Sequence, residues 1–243
     1  MERPRVVTHN AISVDGRLDG FSPDLARYYQ LAGTFPQQAI LSGSGTVLAA
    51  ATSRGVEMVG EDPARSGGDV RTEEASLPGA RAEEASLPLM VIVDSQGRLT
   101  RLDWLRSRPH WHDVLILCSS ATPAAHLDRL DRSGTPYEVV GDEHVDLVAA
   151  LDVLGHRYGV RHVRVDAGPG LNGALLRAGL VDEVSILLAP YLVGHRSPQP
   201  LHLFDGLASE ARRLQLISVE QLPDDHVWLR YVVRPAVDLV AAG

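Results

Sequence analysis

Three glycines, Gly168, Gly170 and Gly173, stand in G-x-G-x-x-G spacing within HVRVDAGPGLNGALLRAGL, residues 162 to 180, between an alternating apolar run and a helix-like segment. Glycine lets a backbone approach a ligand closely, and a helix start offers unpaired N–H groups and the positive end of its dipole to an anion. The stretch therefore reads as a phosphate or pyrophosphate turn, or as a tight β-α turn without a ligand. Asp166 adds a carboxylate at the same strand end. The spacing is also that of a dinucleotide fingerprint, but a Rossmann unit needs an acidic residue about 20 positions further on, at the tip of the next strand. Here that tip is Ala189-Pro190, and the acidic pair Asp182-Glu183 precedes the strand. The fingerprint also falls late in the chain, with only a hairpin after the next strand. The Rossmann reading fails, and both the anion turn and the ligand-free β-α turn stand.

Other reactive residue types carry weaker signals. His110-Trp111-His112 lies in a charged, Pro-containing loop with no third ligand nearby, which reads as a surface cluster rather than a metal pair. Ser42-Gly43-Ser44-Gly45 does not meet the G-x-S-x-G pattern of a nucleophile elbow. Cys118, the sole cysteine, closes the apolar run VLILC and reads as a buried, inert thiol; with no intrachain disulfide to form, a cytoplasmic location fits.

The elements that must position these groups follow from periodicity. RVVTHNAIS, QAILSG, LMVIVD, DVLILCSS, YEVVG, HVRVDAG and EVSILLAP read as strands, several of them nearly continuous apolar runs that call for cover on both faces. DLARYYQLAG, PAAHLDRLDRSG, HVDLVAALDVLGHRYG and LNGALLRAG read as helices, so the order is broadly β-α-β and the class α/β. In the last third, RRLQLISVEQL and HVWLRYVVR flank Pro223-Asp224-Asp225, a hairpin signal, which predicts a mixed, mainly parallel central sheet with antiparallel C-terminal strands. Residues 60–88 repeat EEASLP and read as a flexible loop insertion, a candidate lid, in what is otherwise a single domain over residues 1–243.

Composition bounds the function. A chain of 243 residues, 44% hydrophobic, can bury a substantial core, and a net charge of −8 without clustered Lys and Arg argues against nucleic-acid binding. No apolar run approaches the roughly 20 residues of a membrane span, and the start, MERPRVVTHNAISVDG, lacks a signal-peptide core.

Four ordered stretches carry a resemblance. VDAGPGLNGALLRAGLVDEVSILLAPYLVG, NAISVDGRLDG, LSGSGTVLAA and VIVDSQGRLT resemble the reductase domain of the bifunctional riboflavin-biosynthesis deaminase-reductases and their stand-alone relatives. That family implies a dihydrofolate-reductase-like three-layer fold, a homodimer, and NADPH as cofactor. No deaminase zinc signature occurs in the sequence, so a stand-alone form is expected.

Carried over by position, the resemblance implies that Gly168, Pro169, Gly170, Leu171, Asn172, Gly173 and Ala174 form the pyrophosphate turn and helix start. Ala11 lies near the nicotinamide, Thr46 offers its hydroxyl to the cofactor, and Ser95 meets the adenosine side, where arginines such as Arg98 are at hand for a 2′-phosphate. Asp166 stands where the family usually has a substrate-contacting glutamate, and is the candidate catalytic residue. Asp15 reads as a turn residue. The chain departs from the family at Ala50-Ala51-Thr52-Ser53-Arg54-Gly55 and at FSPDLARYYQLAG, where substrate-side segments differ; Arg54 is a candidate substitute for a missing arginine. The implied activity is NADPH-dependent reduction of a phosphoribosylamino-pyrimidine small-molecule substrate. Alternatives are a reductase of another small heterocycle or carbonyl compound, and a nucleotide-binding protein without turnover.

Overall fold

The computed structural model describes residues 3–56, 87–194, 202–206 and 212–234. Of the predicted 60–88 loop, all but residues 87 and 88 lies outside the described residues.

The apolar runs form one nine-stranded sheet. In chain order the strands are β1 (Arg5–Ser13), β2 (Ala39–Gly43), β3 (Leu89–Val93), β4 (Asp113–Cys118), β5 (Tyr137–Val139), β6 (His162–Val165), β7 (Glu183–Ala189), β8 (Leu214–Gln221) and β9 (Val227–Val233), and their spatial order is β5-β4-β3-β2-β6-β1-β7-β9-β8. The first seven are parallel, so the ends of β1, β2, β3, β6 and β7 open on one edge. β9 runs antiparallel to β7, and β8 to β9. At the tip of that hairpin Asp224 and Asp225 have φ of 56° and 60°, the left-handed pair that a type I′ turn demands. The mixed sheet with its antiparallel C-terminal edge is as the sequence predicts.

The helices are α1 (Leu25–Ala32), α2 (Ser44–Thr52), α3 (Leu102–Arg106), α4 (Ala124–Ser133), α5 (Leu147–His156) and α6 (Pro169–Arg177). Strand alternation assigns them to two faces. Val6, Leu41, Val91, Val163 and Val165 pack with α5 and α6, while their neighbours Ile40, Ile92 and Ile116 pack with α2, α3 and α4, and Val7 packs with α1 and Trp228. The result is three layers, with α5 and α6 on one face and α1 to α4 on the other. Four helices fall where the sequence predicts them; α2 and α3 were not foreseen. α2 begins at Ser44 inside the SGSG stretch, where Gly43 is the N-cap and supplies no side-chain bond to betray a helix start.

The two clusters on the four-helix face do not meet. Between them, the outward residues of β6 and its extension are Arg164 and Asp166, alternating with the core residues Val163 and Val165. The sheet therefore has a polar floor at the gap between α1 and α2.

Candidate functional site

Two helices start side by side at the open edge. α2 follows β2 with Gly43 as N-cap, α6 follows β6 with Gly168 as N-cap, and neither cap offers a side-chain bond to the first turn. The first N–H groups of a helix have no carbonyl one turn back to bind. In α6, Pro169 has no N–H and Asn172 N already donates to Gly168 O at 3.2 Å, which leaves Gly170 and Leu171 as the turn's available donors. Thr46 ties the two starts together: its Oγ1 accepts from Gly168 N at 3.0 Å and keeps its own proton to donate.

The predicted turn residues do not share one environment. Gly170 is exposed, and a Cβ there would meet nothing within 4 Å, so its bare backbone faces open space. A Cβ on Gly173 would lie 1.9 Å from Asp205 O, so that glycine serves close packing of the 202–206 segment on α6. Asn172 is fully buried, with its amide nitrogen 3.1 Å from Asn10 Oδ1, 3.1 Å from Ala167 O and 3.2 Å from Leu203 O. Its side chain stitches β1 to the turn from behind. Leu171 packs at the edge of the core, beside Gly43. Ala174 lies within α6, beyond the first-turn donors.

Ser95 stands two strands away, after β3. Its Oγ accepts from Val145 N at 3.0 Å and its carbonyl accepts from Thr122 Oγ1 at 2.9 Å, so the hydroxyl is anchored but still holds a proton to donate. The same turn is built on buried Asp94, which accepts from Arg98 N and Leu99 N, each at 3.0 Å. Arg98 reaches back toward α2, with Nη1 3.8 Å from the position a Cβ would take on Gly45. A guanidinium thus stands beside one of the two donor-rich helix starts.

Asp166 lies on the other side of the strand end, in the α1–α2 gap. Its backbone is fixed by Leu41 O, 3.0 Å from Asp166 N, and by Ser42 Oγ, which donates to Asp166 O at 2.7 Å. The side chain is 31% exposed, with Oδ2 3.5 Å from Nη1 of buried Arg164. Tyr28 and Tyr29 face it from α1: loss of water first, and the Asp166 charge second, raise both phenols above their ordinary range. Arg164 first, and then Arg54 just after α2, draw the Tyr29 phenol the other way. The cleft thus gathers acceptor, donor and cation from β6, α1 and α2. Arg164 and the two tyrosines escape sequence reasoning, though an arginine inside the apolar run HVRV is a signal that could have found the first.

The first strand carries a polar pair whose role is structural. Trp228 Nε1 donates to Ser185 Oγ at 2.8 Å, Ser185 faces His9 Nδ1 at 2.9 Å, and His9 Nε2 faces Tyr28 O at 3.1 Å. Since the indole only donates and the carbonyl only accepts, His9 is the neutral Nε2–H tautomer. Burial, and next the Arg164 charge, lower its pKa to about 4. Ala11, two residues on, is half-buried on the α1 face of β1. Asp15 clamps the loops after β1 and β7, accepting from Ser13 Oγ at 2.6 Å, Gly194 N at 2.8 Å and Val193 N at 3.2 Å, which hold its carboxyl well below the usual range. The Cys118 thiol is fully buried and pushed up to about 12, first by burial. His112 Nδ1 lies 2.6 Å from Leu87 O, so it braces the approach to β3.

Two recesses lie away from the glycine turn. One of about 290 Å³, lined by Phe35, Gln37, Arg164 and Arg230 among others, sits at the opposite edge of the sheet.

Residues 4–228 match the model of the RibD C-terminal domain. This chain belongs to that family. Among curated relatives of the RibD C-terminal domain, it is 29% identical to the 2,5-diamino-6-ribosylamino-4(3H)-pyrimidinone 5′-phosphate reductase of Methanothermobacter thermautotrophicus, over 96% of this chain and 99% of that protein. It is 30% identical to the riboflavin biosynthesis protein RibD of Escherichia coli, over 71% of this chain but 42% of that protein. Among solved structures, RibD of Acinetobacter baumannii aligns with a TM-score of 0.67 at 22% identity, over 96% of this chain and 59% of that one. A riboflavin biosynthesis reductase of Saccharomyces cerevisiae aligns with a TM-score of 0.61 at 17% identity, over 96% and 90%. The likenesses bear out the dihydrofolate-reductase-like fold class expected for the RibD C-terminal domain.

Proposed function

We propose that this protein is an NADPH-dependent reductase of a phosphoribosylamino-pyrimidine in riboflavin biosynthesis, working as one domain. The observation that carries the proposal is the pair of glycine-capped helix starts joined through Thr46 and Gly168, set against a cleft in which Asp166 is the accessible carboxylate. Membership of the RibD C-terminal domain family supplies the reaction class.

The residues present fit a nicotinamide dinucleotide. First-turn N–H groups of α2 and α6 would take the pyrophosphate, with the Thr46 hydroxyl between them, and no side chain at Gly170 obstructs the approach. Ser95 would meet the adenosine side, and Arg98 is the guanidinium nearest the α2 start for a 2′-phosphate. Ala11, small and half-buried beside the Asp166 cleft, leaves room for the nicotinamide ring. When bound, the cofactor supplies the hydride, delivered to an electrophilic C=O or C=N carbon. The protein supplies orientation. Asp166 would anchor the substrate through its hydroxyl or N–H groups from the cleft floor, with Arg54 as the cation at the rim.

A cytoplasmic setting suits the single reduced Cys118. No helix among the described residues is long and apolar enough to cross a membrane. Leu216, Ile217 and Val219 of edge strand β8 are 46 to 58% exposed, an apolar strip that suits a homodimer and that light scattering would test.

The deciding experiment follows NADPH oxidation with the phosphoribosylamino-pyrimidine as substrate. Turnover is expected, NADH should be a poorer donor, and Asp166→Asn should lower kcat/KM by about 100-fold while NADPH affinity stays within a few-fold. NADPH binding without oxidation would leave a nucleotide-binding protein instead. Unimpaired turnover by Asp166→Asn would remove that residue from the site.

A further inference from the structure

Arg164 is a charged residue in the middle of the central parallel sheet. Its side chain is 3% exposed. Burying a guanidinium is costly unless its donors are matched, and here the matching is incomplete. Nε donates to Gln37 Oε1 at 2.5 Å, fixing the plane of the group from the loop before β2. Nη1 is buried without a hydrogen-bond partner, yet it stands 3.5 Å from Asp166 Oδ2. A shift of about half an ångström in the carboxylate would bring this contact into charge-assisted hydrogen-bonding range.

The arrangement explains why a buried charge is tolerated here. Around Arg164, His9 is neutral with both ring nitrogens engaged, and the Tyr28 hydroxyl donates to His9 O at 2.8 Å while its oxygen also lies near the Asp166 carboxylate. Asp166 is the anion within reach, and it is the one with a face open to the cleft. We propose that Arg164 is a positioning residue for the reaction: anchored by Gln37, it holds one Asp166 oxygen from behind so that the other is presented to substrate as a fixed acceptor.

This inference rests on the reading of Asp166 as the substrate anchor. It narrows that reading, because a carboxylate backed by an arginine, which does not give up its charge, meets the substrate as an acceptor. The group it recognises is then an O–H or N–H of the sugar or the heterocycle.

The test compares Arg164→Met, Arg164→Lys and Asp166→Asn with the double variant Arg164→Met/Asp166→Asn, measuring kcat, KM, NADPH affinity and thermal stability. Arg164→Met should lower kcat/KM by about tenfold or more with NADPH affinity within a few-fold of wild type. Arg164→Lys should recover part of the loss, since it restores the charge but not the two-sided fork. The double variant should be no worse than Asp166→Asn alone. Losses that simply multiply, or an Arg164→Met enzyme as active as wild type beside an impaired Asp166→Asn, would overturn the positioning role and leave the Asp166 reading intact. A fully active Asp166→Asn would overturn both. If Arg164→Met does not fold, Gln37→Met removes the rear anchor from a half-buried loop site, and should lower kcat/KM several-fold in wild type but not in Asp166→Asn. Side-chain NMR gives a readout independent of turnover: Arg164 Nη protons protected from exchange in wild type should lose protection in Asp166→Asn, and unchanged protection would count against the contact.

Discussion

Glu183 and Asp166 stand on the two strands that flank β1, and each meets arginine differently. Glu183 opens β7 at the opposite edge of the sheet, 2% exposed, with Arg5 Nη2 at 2.9 Å and Arg230 Nε at 2.6 Å. Asp166 directly follows β6 at the open edge, 31% exposed, with one guanidinium nitrogen at 3.5 Å. The first carboxylate is saturated by its own chain and has nothing left to offer a ligand. The second is held loosely, by that nitrogen and by the nearby Tyr28 hydroxyl, and keeps a face open to water. The two strands beside β1 thus separate a structural ion cluster from a binding group by counting partners, which charge type alone would not do.

Breaking the saturated side gives the largest expected effect on folding. Glu183→Gln should destabilise by about 3 kcal/mol, the low end for breaking a buried pair, because Arg5 is half exposed and can turn to water. Denaturant unfolding measures this, and kcat/KM of the folded variant should match wild type. A folded variant with impaired turnover would erase the distinction between the two carboxylates.

Between the two carboxylates lies the His9 network, which joins neither. The folded pKa of about 4 lies below the ordinary 6.5, so the unfolded chain binds the extra proton first as pH falls. The stability from a neutral, buried His9 is complete above pH 6.5 and is lost as pH drops toward 4, by about 1 kcal/mol at pH 5.5 and about 3 kcal/mol at pH 4. His9→Gln can accept from Ser185 and donate to Tyr28 O, so its stability should vary less over that window. Parallel pH profiles for the two proteins would show that His9 does not carry the effect.

How much of this was legible in the sequence depends on how far apart the partners lie. The sheet could be read because each strand is its own apolar run, and the hairpin because Pro-Asp-Asp is a local turn. The α6 start could be read because glycine, proline and the helix share one stretch. α2 was hidden because its N-cap is glycine, and the five-residue α3 is too short to show a period. Arg164 was hidden for a different reason. Its meaning comes from Gln37, 127 positions away, and from two core clusters on one face that fail to meet. The donor side of the site is local in sequence, whereas the acceptor side is assembled by the fold.

The smallest effect sharpens the comparison on the donor side, where two glycines of one motif have opposite reasons to be there. Gly170 has no positive φ and nothing within 4 Å of a Cβ, so the protein itself does not require glycine; in a helix valine is if anything favoured over glycine by a few tenths of a kcal/mol. Gly173 faces Asp205 backbone at 1.9 Å from a Cβ, a contact that no rotamer relieves. Gly170→Val should therefore leave thermal stability level or slightly raised while weakening NADPH binding by about tenfold, because the branched side chain stands where pyrophosphate would approach. Gly173→Ala should do the reverse in order, lowering stability first and affinity only through displacement of the 202–206 segment. Calorimetric NADPH titration and thermal melts of the two variants separate the cases. Wild-type affinity in a folded Gly170→Val protein would mean that the turn shapes the fold alone, and the pyrophosphate would have to lie toward the α2 start, where Arg98 stands.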